Sequence, residues 1–186
     1  MWLNLVFREM AKKQHSIASG TWQEGVTWEF FVDSTEPPLN LITGVFALIT
    51  TADNNIVLVK HKKRGWEFPG GHIDPHESLE YALRRECKEE AGVDLVDIRQ
   101  FGYKKITHTK PFPHRDKPGE FYPFPISYLV YYQAKSSTLN TVIHDKDITE
   151  VQMLTVSDAK NVLSDKPQHA ILLSQLVEDS DEHAEP

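Results

Sequence analysis

The stretch from Gly71 to Val93, GHIDPHESLEYALRRECKEEAGV, constrains this chain more than any other. Glu86, Glu89 and Glu90 stand at offsets of 0, 3 and 4. On an α-helix of roughly 3.6 residues per turn, that spacing gathers the three carboxylates on one side. Like charges so placed repel and weaken an isolated helix. A divalent cation held by oxygen offsets the repulsion, and Mg²⁺ takes carboxylate, carbonyl and water ligands beside substrate phosphates. The same helix has an apolar side: Leu79, Leu83, Cys87 and Ala91 follow at four-residue steps, with Ala82 beside them. Glu86 and Glu90 lie at the edge of that stripe, which aims them into a cleft beside the core. Arg85 reaches Glu89 at four-residue spacing, or Glu77 one turn earlier, and pairing fixes a glutamate's orientation. Taken alone, the acids are equally compatible with a solvated charge run.

The flanking residues narrow the choice. Gly70 and Gly71 let the backbone approach a ligand closely, and Gly92 caps the helix C-terminus. Asp74-Pro75-His76-Glu77 has the form of a capping box, with Ser78 as a competing N-cap that leaves Glu77 in the loop. The order of glycine, glutamate, Arg-Glu, Glu-Glu and glycine resembles the Nudix box, with every defined position filled. Cys87 stands where an aliphatic residue is more usual. The preceding Trp66-Glu67-Phe68-Pro69-Gly70-Gly71 resembles the entry to the box in enzymes of the MutT type. Pro123 to Ser127, PFPIS, is similar to part of a signature in NADH pyrophosphatases, although their zinc-ribbon cysteines are absent.

The Nudix resemblance implies an α/β fold: an α/β/α sandwich around a mixed central sheet. It extends over about residues 40–160, so residues 1–40 are expected to be an extension packed on a domain of residues 41–177. Five acids, Glu178, Asp179, Asp181, Glu182 and Glu185, mark residues 178–186 as a disordered acidic tail. The formal net charge of −7 argues against binding a nucleic acid polymer through a basic surface. A single cysteine excludes an internal disulfide and suits a reducing cytoplasm. No apolar run approaches the ~20 residues of a membrane span, and the first residues make a poor signal peptide.

Along the chain, residues 1–20 have the spacing of a short amphipathic helix that packs on the domain or on the partner subunit of a homodimer. Thr27–Val32, Leu41–Thr51, Ile56–Lys60, Asp97–Tyr103, Tyr128–Lys135 and Asp147–Val156 read as strands. Ser136–Thr141 reads as a turn, and Ser157–Leu163 and Gln168–Val177 as helices. Lys104–Glu120 is long, polar and proline-bearing, the form of a mobile substrate lid whose His108, Lys110, His114, Arg115 and Lys117 face phosphates.

The resemblance implies hydrolysis of a nucleoside diphosphate linked to a further group. A pyrophosphate bridge repels an attacking water, and divalent metals neutralise that charge, polarise the phosphorus and acidify bound water. Glu86, Glu89 and Glu90, with the Gly71 carbonyl, are the expected ligands for Mg²⁺ or Mn²⁺. Arg85 and Glu77 are expected to orient them. The water-activating base is Glu86, Glu89, Glu120 or Glu150. Lys62, Arg64, Phe68, Tyr122 and Phe124 are expected to contact substrate. The leading substrate is a nucleoside or deoxynucleoside triphosphate, followed by a dinucleotide or a nucleotide sugar. A nucleotide-sensing module without catalysis is the reading from another class. A prenyl diphosphate isomerase would need a cysteine poised over substrate, whereas Cys87 faces helix packing.

Overall fold

The computed structural model describes residues 16–114, 119–139, 143–166, 168–169 and 172–174. Strands β1 (Ala18–Gln23) and β2 (Val26–Val32) form a hairpin, and a 3-10 turn at Leu39–Leu41 leads to β3 (Ile42–Thr50). Strands β4 (Ile56–His61), β5 (Gly65–Glu67) and β6 (Gly70–His72) precede helix α1 (Leu79–Ala91). Long strands β7 (Val93–His108) and β8 (Ile126–Leu139) follow, then β9 (Ile148–Leu154) and helix α2 (Val156–Val162). The sheet runs β1-β2-β7-β8-β3-β4-β5, with β6 on β3 and β9 on β4. The β3–β8 pair is parallel and the other pairs are antiparallel, so the sheet is mixed.

Side-chain alternation gives the sheet two buried faces. Val45, Ala47 and Ile49 of β3 share one cluster with Ala82, Leu83, Cys87 and Ala91, the apolar stripe of α1. Leu48 of β3, Leu58 of β4, Phe30 of β2 and Tyr131 of β8 share the other cluster with Ala159, Leu163, Leu172 and Leu173. The layers are therefore α/β/α, with α1 on one side and the C-terminal helical residues on the other. No helix among the described residues is long and apolar enough to cross a membrane.

Three expected boundaries are corrected. Ala18–Gln23 is a strand, not the end of a helix, because its backbone pairs with β2 from Ala18↔Phe30 to Gln23↔Val26. Residues 1–15 of the expected helix lie outside the described residues, as does the acidic tail 178–186. β7 continues past Tyr103 to His108, because β2 and β8 pair with it on both sides as far as Val26↔His108 and Thr107↔Ile126. β8 likewise runs through the turn expected at Ser136, held by Leu95↔Ser136 and Val93↔Leu139. Of the helix expected at Gln168–Val177, residues 168–169 and 172–174 are helical and the rest lie outside the described residues.

Candidate active site

Ser78 wins the competition for the N-cap of α1: its hydroxyl accepts from the Tyr81 N–H at 3.2 Å. Glu77 is thereby left in the loop, where Asp74 N–H donates to its Oε2 at 3.0 Å. Gly92 ends the helix at φ 67°, and its N–H reaches the carbonyls of Cys87 and Lys88.

Arg85 ties these parts together. Its Nε donates to Glu77 Oε1 at 2.7 Å and its Nη2 to Glu77 Oε2 at 3.0 Å, a two-point fork. Nη1 donates to Glu86 Oε1 at 3.0 Å and to Glu89 Oε2 at 3.2 Å. Nη2 also reaches the His72 carbonyl at 3.1 Å, which fastens β6 to α1. The Arg85 hydrogen bond holds the Glu77 carboxyl below its ordinary range, and Glu77 in turn raises Arg85. Both pairings open to Arg85, with Glu77 and with Glu89, are made.

Glu90 and Glu86 each lie against a glycine. Glu90 is 3% exposed, and its Oε2 accepts from Gly70 N–H at 2.9 Å. Burial pushes its carboxyl up to about 8. Burial also raises Glu86, and the neighbouring charges of Glu89 and Asp145 add to that shift while Arg85 opposes it. A Cβ built on Gly71 would lie 2.6 Å from the Glu86 carboxyl carbon. One on Gly70 (φ 145°) would lie 2.2 Å from the Val45 carbonyl oxygen. The two glycines thus serve different ends. Gly70→Ala meets rigid backbone in a disfavoured conformation and should prevent folding. Gly71→Ala meets only the end of a side chain, so the protein should fold with Glu86 displaced and turnover reduced about tenfold or more. Circular dichroism of both variants, with turnover of the second, checks this pair; full activity of folded Gly71→Ala would detach Glu86 from the chemistry.

These acids border a cleft of about 700 Å³. Gly70, Gly71, His72, Asp74, Glu86, Glu90 and Asp145 form one part of its wall. The donors are all hard oxygens, which fits a Mg²⁺-like ion in kind. Among the described residues, however, no three acids or imidazoles already converge on one point. Arg85 stands between Glu86 and Glu89, and Glu90 is turned to Gly70. Residues able to hold a divalent cation are therefore Glu86 and Glu90, then Glu89 and the Gly71 carbonyl, with side-chain adjustment.

The other expected residues divide. Arg64 lines the cleft, with its guanidinium held by Glu67 at 2.6 Å. Tyr122 lines it too; its hydroxyl meets His72 Nε2 at 2.9 Å and its ring stacks on His114 at 4.5 Å. Lys62 is exposed, outside the cleft wall, and its ammonium donates to the Lys146 carbonyl. Phe68 is 1% exposed, in the core beside His169. Phe124 and Glu120 are exposed and outside the cleft wall, and Glu150 is paired with Lys60 on the sheet at 3.6 Å. Of the expected lid Lys104–Glu120, His108 and His114 line the cleft and Lys110 is exposed outside its wall; Arg115 and Lys117 lie outside the described residues.

Asp145 escapes a reading of the sequence. The N–H groups of His144 and Asp145 both donate to the Glu89 carbonyl, at 2.8 and 3.0 Å, which docks this loop on the last turn of α1. Its carboxylate accepts from Asp147 N–H at 2.6 Å and lines the cleft near Glu86. Lys104 escapes for the opposite reason, being a lysine in the core. It is 2% exposed and lines the cleft, and burial lowers its ammonium to about 7.

Comparison with known proteins identifies the family. The NUDIX domain family matches residues 40–176. An 8-oxo-dGTP diphosphatase of Buchnera aphidicola subsp. Acyrthosiphon pisum is 48% identical over 44 residues, 24% of this chain and 36% of that protein. One from Buchnera aphidicola subsp. Schizaphis graminum is 36% identical over 74 residues, 34% of this chain and 57% of that protein. The chain thus spans less than two thirds of these relatives. The crystal structure of a Bacillus subtilis pyrophosphohydrolase superposes with a TM-score of 0.57 at 21% identity, covering 74% of this chain and 77% of that one. At that identity the likeness concerns the fold.

Proposed function

This chain belongs to the NUDIX domain family, and from that premise we propose that it is a divalent-cation-dependent pyrophosphohydrolase of nucleoside or deoxynucleoside triphosphates. The observation that carries the reading is the Arg85 clamp, which ties Glu77 and Glu89 to Glu86 at the cleft wall while Glu90, also on that wall, is fixed on Gly70. Burial raises both Glu86 and Glu90, and two such acids on one cleft wall favour a functional site over a purely structural helix. A bound divalent cation, Mg²⁺ first, would neutralise the pyrophosphate bridge and polarise its phosphorus centres.

The chain's own residues do the rest. Glu86 and Glu90 face the cleft from α1, and Arg85 keeps Glu86 and Glu89 from rotating away. Asp145 and Glu86 border the space where a water would be deprotonated, whereas Glu120 and Glu150 lie outside the cleft wall. Water oxygen bonds to one phosphorus, the bridging P–O bond breaks, and the products are a nucleoside monophosphate and pyrophosphate. Arg64 and Lys166 supply positive charge along the same cleft.

The names of the relatives support triphosphates, with oxidised dGTP first on the panel. In the PFPIS run only Ser127 lines the cleft and Phe124 is exposed, which leaves the dinucleotide reading second. The test is pyrophosphate release from a triphosphate panel with Mg²⁺, followed without added phosphatase. Release that stops on chelation is expected. Tight nucleotide binding without turnover in Mg²⁺ or Mn²⁺ would replace the enzyme with a sensing module.

A further inference from the structure

The part of the cleft remote from α1 has a wall of different chemistry. Register carries the eye straight across the sheet: His72 pairs with Gly44, Gly44 with Leu129, and Leu129 with Lys104. Three strand spacings put the Lys104 backbone about 14 Å from β6, the strand against which Glu86 and Glu90 lie. The Lys104 ammonium lies 5.1 Å from the ring of Trp22, 5.2 Å from Trp28 and 5.5 Å from Tyr131. Among the described residues no carboxylate pairs with it. Glu67, the nearest acidic influence, is already held by Arg64.

Two further groups at this pole each carry a buried nitrogen without a hydrogen bond. His108 and His169 are 7% and 8% exposed, both line the cleft, and the Nδ1 of each has no hydrogen bond. His108 Nε2 meets Ser127 Oγ at 3.3 Å. Burial lowers both imidazoles, which keeps them neutral. Buried polar atoms left unpaired are costly, so each of these nitrogens calls for a partner. Trp22 is 48% exposed and comes from the β1–β2 hairpin, outside the matched residues 40–176. Ile106 and Leu129 add apolar wall beside it. A flat, largely uncharged group with acceptors on one edge suits such walls better than a phosphate does.

We infer that this pole is a base pocket for a 6-oxopurine, with Lys104 donating to the O6/N7 edge and Trp22 covering the ring face. The inference rests on the nucleotide reading above and assigns its specificity to Lys104 and to a hairpin outside the matched domain. A 6-oxopurine presents two adjacent acceptors to the ammonium, whereas adenine presents an amino donor at the same place. Facing that amino group the ammonium keeps N7 alone as an acceptor and meets an opposed donor, which disfavours adenine. Base stacking on an aromatic face tolerates any base, so Trp22 supplies affinity and Lys104 supplies choice.

The test needs neither metal nor turnover. Binding of inosine, adenosine and purine-riboside 5′-monophosphates is measured by calorimetry, with inorganic tripolyphosphate as a ligand lacking a base. The wild-type protein is expected to prefer the inosine nucleotide over both others by about tenfold or more. Lys104→Met should erase that ratio without changing tripolyphosphate binding, and Trp22→Ala should weaken all three nucleotides alike. Equal wild-type affinities, or no nucleotide binding, would overturn the inference. So would a Lys104→Met loss shared by tripolyphosphate, which would make Lys104 a phosphate contact. The wild-type ligand series decides the matter even where a variant does not fold. Triphosphate turnover without base preference would sink the inference alone; base preference without turnover would sink only the hydrolase reading.

Discussion

Glu90→Gln is expected to lower turnover at least about a hundredfold while leaving the metal-free protein no less heat-stable than its parent. The two halves of this result come from one side chain. Glu90 is 3% exposed and accepts from Gly70 N–H at 2.9 Å. Burial raises its carboxyl to about 8, so near neutrality it is mostly protonated when no cation is bound. Glutamine has the same shape, keeps a carbonyl oxygen for Gly70, and loses no charge that the empty site uses. What it cannot do is become anionic when a cation arrives. The sign of the pH dependence follows. Between the ordinary 4.5 and about 8, the folded state holds a proton that the unfolded state has released. Glu90 therefore stabilises the metal-free fold at low pH, and this contribution declines as pH rises through that window. Melting curves should show that decline in the wild type and a flatter profile in Glu90→Gln. A variant with wild-type turnover and a melting temperature lower by several degrees would make Glu90 a structural acid.

The site is legible in the sequence where its geometry is local. Helix α1 needs only Ser78, Gly92 and the offsets of its glutamates, all within one turn of the residues they act on. Gly70 and Gly71 are legible as points of close approach, expected toward a ligand, whereas the approach in the structure is to Val45 and to Glu86. β7 fails the same reading because its buried row beyond Tyr103 is Lys104, Ile106 and His108. Hydrophobic periodicity cannot find a strand whose inward positions are polar; pairing with β2 and β8 sets it instead. Trp22 and Asp145 belong to the site through contacts that cross the sheet or dock a distant loop. Phe68 and Phe124 are a matched pair of the same lesson. Both are aromatic beside proline near the cleft, yet one is in the core and the other in solvent.

Arg85→Ala should cost both turnover and stability, in contrast to Glu90→Gln. Arg85 meets both oxygens of Glu77, one each of Glu86 and Glu89, and the His72 carbonyl. The side chains of Glu77 and Glu86 are each 12% exposed, so removing the guanidinium leaves two nearly buried carboxyls without their cation. Breaking such a pair costs far more than a surface ion pair is worth. A fall in melting temperature of about 5 °C or more is expected near neutral pH. Arg85→Lys should recover part of it, because an ammonium can serve Glu77 or Glu86 but cannot span the whole fork. Arg85 keeps Glu77 below its ordinary range, so its stabilisation is present above pH 4.5 and is lost as pH falls through the lowered value. The deficit of Arg85→Ala should therefore shrink in acid. Melting curves from pH 3 to 8 on wild type, Arg85→Lys and Arg85→Ala measure this. A deficit that stays constant in acid would assign Arg85 a packing role, and no deficit at all would reduce the clamp to surface ion pairs.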